Sequence, residues 1–75
     1  MEKKYYLLQF EFADGSRFRC IERTADIVAC VAAWDFSRPG GHFETGPANY
    51  TAVQISRING RGLENEIAAG VPVYG

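Results

Sequence analysis

The chain has 75 residues, enough for one domain with a single core between two packed layers. Hydrophobic residues make up 47% and charged residues 23%, a globular balance that excludes a disordered chain. The formal net charge of −1 lacks the basic excess of a non-specific nucleic-acid binder, and no apolar run approaches the roughly 20 residues of a membrane-spanning helix.

The first element in chain order is a β-hairpin. Residues 5–12 and 16–23 are rich in aromatic and β-branched types, with Asp14-Gly15 between them. A two-residue loop at Asp14-Gly15 would set Phe12 opposite Arg17 and Phe10 opposite Arg19, mixing apolar and charged side chains. A three-residue loop, Ala13-Asp14-Gly15 with Gly15 left-handed in a bulge, sets Phe10 opposite Phe18 and Leu8 opposite Cys20. The other face then pairs Glu11 with Arg17, Gln9 with Arg19, and Leu7 with Ile21. This register separates the faces, and a slip of one residue destroys the separation. The same apolar stretch follows Lys3 and Lys4, as in a signal peptide. Gln9 and Glu11 interrupt it and no small-residue cleavage site is evident, so a cytoplasmic location is expected.

One hairpin face is Tyr6, Leu8, Phe10, Phe12, Phe18 and Cys20, and it needs a cover. The spacing predicts a helix from Ala25 to about Phe36, because Ile27, Cys30, Val31 and Trp34 recur at i, i+3, i+4 and i+7. Thr24 suits the N-cap, and Asp26 suits the positive end of the helix dipole. Alanines at 29, 32 and 33 allow close approach to a sheet. Pro39-Gly40-Gly41 ends the helix, and residues 37–47 read as a loop.

A third strand follows at about 49–58, with Thr51, Val53 and Ile55 toward the helix and Tyr50, Ala52, Gln54 and Ser56 outward. A right-handed crossover puts it beside strand 1, giving the sheet order 2-1-3. Asn59-Gly60-Arg61-Gly62 reads as a turn. Residues 63–69 read as a short helix ended by Gly70, with a fourth strand as the alternative. Pro72 extends the tail. The expected fold class is therefore α+β: a single domain over residues 1–75, of ββαβ order. Its three-stranded, antiparallel-containing sheet carries one helix on one face, followed by a short C-terminal helix or strand.

The residues that most often carry chemistry do not converge. Cys20 and Cys30 are ten positions apart, outside any Cys-x-x-Cys pattern, and a four-ligand zinc set is missing, so no metal or cofactor is expected. Their inward placement predicts packed, reduced thiols; a disulfide between them and a reactive thiol are the alternatives. His42, the only histidine, falls in the loop, whereas a catalytic pair needs it beside an exposed thiolate. Pro39-Gly40-Gly41 lacks the Gly-Lys-Ser/Thr end of a phosphate loop and follows a helix where such a loop precedes one. No catalytic residue is assigned and no enzymatic activity is expected. Trp34 reads as a core anchor, and Phe36, Phe43 and Tyr74 as candidates to close the open end of the core.

The outer hairpin face is the unusual feature. It carries Tyr5, Leu7, Arg17, Arg19, Ile21 and Arg23, together with Gln9 and Glu11. An apolar pair, Leu7 and Ile21, rimmed by tyrosine and arginine, has the composition of a contact hot spot. The plainer reading is a solvated face on which arginine stems lie over the apolar pair. The expected function is a non-enzymatic protein-binding module or small inhibitor acting by surface contact. The alternative is a nucleic-acid-binding domain using the arginine-lined face. Strand 2, a sheet edge in the order 2-1-3, also offers a route to a homodimer. In size and style the chain is similar to the compact stand-alone proteins that phages and mobile elements encode to block host proteins, such as anti-CRISPR inhibitors. That similarity implies a surface-acting inhibitor and assigns no residues.

Overall fold

A computed structural model describes residues 2–34 and 50–75. The expected loop at 37–47, with Arg38, His42 and Pro39-Gly40-Gly41, lies outside those residues, as do Phe36 and Phe43. The described elements are β1 (Lys4–Glu11), β2 (Arg17–Thr24), α1 (Ile27–Ala32), β3 (Ala52–Arg57), α2 (Gly60–Ala68) and β4 (Val73–Tyr74). The strands form one mixed sheet in the order β3-β1-β2-β4, so the sheet has four strands where three were expected. The added strand is β4, which runs parallel to β2 and pairs Val73 with Ile21 and Tyr74 with Glu22.

The hairpin register follows from its turn. The Gly15 N–H donates to the Phe12 carbonyl at 2.9 Å, and the Phe12 N–H donates to the Ser16 carbonyl at 3.0 Å. Gly15 has φ +87°, a left-handed conformation that a side chain would strain. The Asp14 carboxylate accepts from the N–H and the hydroxyl of Ser16, which holds its pKa below the ordinary value. Phe10 then pairs with Phe18, Leu8 with Cys20, and Leu7 with Ile21, as the face argument requires. β3 lies antiparallel to β1 on its other side, with Val53 opposite Phe10 and Ile55 opposite Leu8.

The α1 face of the sheet holds the core. Leu8, Phe10 and Cys20 are fully buried, and Phe12, Val31 and Trp34 nearly so. Aromatic rings fill the space: Trp34 lies 5.1 Å from Phe10 and 6.1 Å from Phe18, centroid to centroid. Tyr74 meets Trp34 edge-on at 5.7 Å and so closes one end of the core from β4.

Four local expectations are corrected. The helix expected from Ala25 to about Phe36 is shorter: α1 starts at Ile27, after its cap Asp26, and ends at Ala32 with Ala33 as C-cap, so Trp34 lies past the helix. The N-cap of α1 is Asp26, whose carboxylate accepts from the Ala29 N–H at 3.1 Å. Thr24 acts one step earlier, its hydroxyl accepting from the Asp26 N–H. Tyr50 packs inward, 4.8 Å from Phe10, because it precedes β3 and escapes the strand's alternation. Asn59 to Gly62 is no simple turn: α2 begins at Gly60, with Asn59 as its N-cap. Gly70 ends α2 as expected, at φ +91°. The Gly70 N–H donates to Ile67 and the Val71 N–H to Glu66, the paired bonds of a Schellman cap.

Candidate contact surface on the outer sheet face

The strand register puts the six expected contact residues on one face, opposite α1. Tyr5 is beside Arg23, Leu7 beside Ile21, and Arg19 and Arg17 continue along β2 toward the turn. Their environments differ. Ile21 is 0% exposed, yet it stands apart from the aromatic cluster because the sheet lies between them. Leu7 is half-buried. An apolar centre open to solvent was expected here, and Ile21 does not provide it.

The cover comes from α2 and the segment after it. Arg19 forms an ion pair with Glu66 of α2, which places that helix over the outer face. Leu63 and Glu66 are the half-buried residues on α2. The Pro72 carbonyl then accepts from the Ile21 N–H at 2.8 Å and brings β4 into the sheet. Strand β2 is therefore no edge where β4 joins it; among the described residues, β3 is the edge strand on the opposite side.

The arginines are held by neighbours. Arg17 pairs with Glu11 at 3.2 Å, and the Arg23 guanidinium sits 6.0 Å from the centre of the Tyr5 ring. Two exposed apolar side chains on the covering elements were missed by sequence reasoning. Val73 of β4, directly next to Ile21, is 44% exposed, and Ile67 of α2 is 48% exposed. Val73 carries a weak signal in the sequence, a β-branched residue just after Pro72. Ile67 falls in the segment read as a short helix, where no face is assigned to it.

A second group of polar residues lies on the α1 face. Glu22 is buried there and accepts a hydrogen bond from the Cys30 thiol. Burial pushes the Cys20 thiol up to about 12, helped by the charge of Glu22. Burial first, and then Glu22, push Cys30 up to about 11. Both cysteines are free thiols, held in the protonated form that reacts slowly. Among the described residues, no three His, Cys, Asp or Glu side chains are grouped to hold a metal ion. No helix among them is long and apolar enough to cross a membrane. Comparisons with protein-family models, with curated proteins and with solved structures find no match to this chain.

Proposed function

We propose that the chain is a non-enzymatic protein-binding module, of the small-inhibitor kind, which contacts its partner through the outer hairpin face. One observation carries the reading: exposed Val73 lies beside a row of arginines, each steadied by a neighbour. A guanidinium already held in place loses less freedom on binding, and an apolar centre next to it excludes water from its hydrogen bonds. The contact set is Tyr5, Arg17, Arg19 and Arg23 around Val73, with half-buried Leu7 and buried Ile21 as its support. A protein partner fits better than a nucleic acid, because Arg17 and Arg19 are paired with carboxylates and the net charge is −1. A cytoplasmic location suits the two free thiols.

The test compares wild type with Val73→Ser and Arg23→Glu as baits in the same lysate, with captured proteins quantified by mass spectrometry. A specific partner is retained by wild type and lost by both variants, while their melting temperatures stay close to wild type. Its affinity falls shallowly with salt, as for an apolar-centred contact. Identical captures by all three baits would remove the face from consideration. A steep loss with salt, together with recovered nucleic acid, would favour the alternative reading.

A further inference from the structure

The outer face is one surface; the free side of β3 is another, and it carries an independent argument. The Ile58 N–H donates to the Tyr5 carbonyl at 3.2 Å and fixes the hydrogen-bonding phase of this edge. Backbone groups alternate in direction along a strand, so Ser56 and Gln54 direct theirs toward β1. Val53, Ile55 and Arg57 therefore direct their N–H and C=O groups away from the sheet. Among the described residues nothing pairs with them. The strand reads Ala-Val-Gln-Ile-Ser-Arg, with no proline, glycine, lysine or acid to blunt it. Its side chains are mostly exposed, and Ile55 is 43% exposed on the α1 face.

We propose that this edge pairs with β3 of a second copy of the chain, antiparallel across a two-fold axis centred on Ile55. The strand is self-complementary in that register. On the α1 face Ile55 meets its own copy, and Val53 meets Arg57 of the second copy. The guanidinium of Arg57 already lies 5.6 Å from the centre of the Tyr6 ring, leaving its stem to cover Val53. On the other face Gln54 meets Ser56 of the second copy, a pair that can hydrogen-bond. No like charges stand opposite each other, and a net charge of −1 puts little repulsion between copies. The outward groups at 53, 55 and 57 bond in the closely spaced pairs of an antiparallel ladder, and two four-stranded sheets become one continuous sheet.

Sedimentation velocity on the full chain tests this across a dilution series, with Ile55→Lys and Ile55→Pro beside wild type. The Ile55 N–H points outward, so proline there removes no bond to β1. Wild type is expected to move from the mass of one chain to that of two as concentration rises. Both variants are expected to stay at one chain with unchanged circular dichroism. Exchange at the wild-type amides of Val53, Ile55 and Arg57 is expected to slow about tenfold from dilute to concentrated protein. Arg23→Glu is expected to leave the dimer intact, which separates this edge from the proposed contact face. A wild type of one-chain mass at every concentration overturns the proposal, as does a dimer that survives both variants. Amides at 53, 55 and 57 that are already slow at the highest dilution overturn it too, since the edge is then covered within the chain.

Discussion

The two faces of the sheet are covered in different ways. On the α1 face, the cover is made of large rings and branched chains from β1, β2, α1 and β4, locked together by several aromatic contacts. On the opposite face, the Arg19–Glu66 ion pair ties α2 to the sheet and the tail strand β4 pairs beside Ile21. No residue of α2 is fully buried. Dispersion grows with the number of close contacts, so the aromatic face carries most of the stability. The outer face is held loosely enough to leave apolar and charged groups at the surface. A chain this small has one main core, and its second face is the less tightly covered one.

The largest test of that contrast is Phe10→Ala. Removing a fully buried ring at the centre of the aromatic face should cost about 3–5 kcal/mol, which is the whole margin of a domain this size. Urea unfolding monitored by circular dichroism should find little folded protein at ambient temperature. A melting temperature equal to wild type would show that the aromatic face does not hold the fold.

Ile21→Ala is the counterpart on the outer face. It should cost about 2–4 kcal/mol, because the side chain is fully buried while the half-exposed cover can partly collapse into the gap. Limited proteolysis should then cut first between α2 and β4. A loss as large as that of Phe10→Ala would erase the difference between the faces.

The thiols of the aromatic face predict an alkaline weakness. Folding raises Cys20 and Cys30 from 9.0 to about 12 and about 11, because their protonated forms are favoured there. The unfolded chain releases these protons above pH about 9, so stability should fall as pH rises from about 9 toward about 11. A Cys20→Ala, Cys30→Ala double variant should show a shallower fall in urea midpoint over that range. Equal slopes would mean that the thiols are not desolvated as described.

The smallest effect belongs to Glu66→Gln. The Arg19–Glu66 pair is partly exposed, so its loss should cost less than about 1 kcal/mol, and added salt should shrink the difference further. A larger, salt-insensitive loss would mean that the outer face is as tightly held as the inner one.

Legibility in the sequence divides along the same line. The hairpin register can be read because only one loop length sorts Phe10, Phe18, Leu8 and Cys20 from Arg17, Arg19 and Glu11. The α1 stripe can be read because Ile27, Cys30 and Val31 keep helical spacing, and Trp34 joins the same core from just past the helix end. The cover of the outer face cannot. Asn59-Gly60-Arg61-Gly62 has the residues of a turn, and a helix tied to the sheet by the Arg19–Glu66 pair overrides that local preference. β4 is two residues long, too short to show any periodicity. The hairpin register sets the six expected contact residues on one face, but the burial of Ile21 depends on residues about fifty positions away, beyond any local pattern.

That distance also sets an order of events. The hairpin closes across a three-residue turn, whereas Ile21 and Val73 join positions 21 and 73. Closing the longer loop costs more chain entropy and rewards it later, so β4 pairs late in folding. In the native state β4 is held by two ladder pairs, the adjacent Pro72 carbonyl and the Tyr74–Trp34 contact, few bonds for one element. Its release frees the Ile21 amide from the Pro72 carbonyl and bares the Ile21 side chain, while the aromatic cluster loses only Tyr74. An opened form of the outer face would therefore be populated only to the extent that a two-residue strand fails to hold its place.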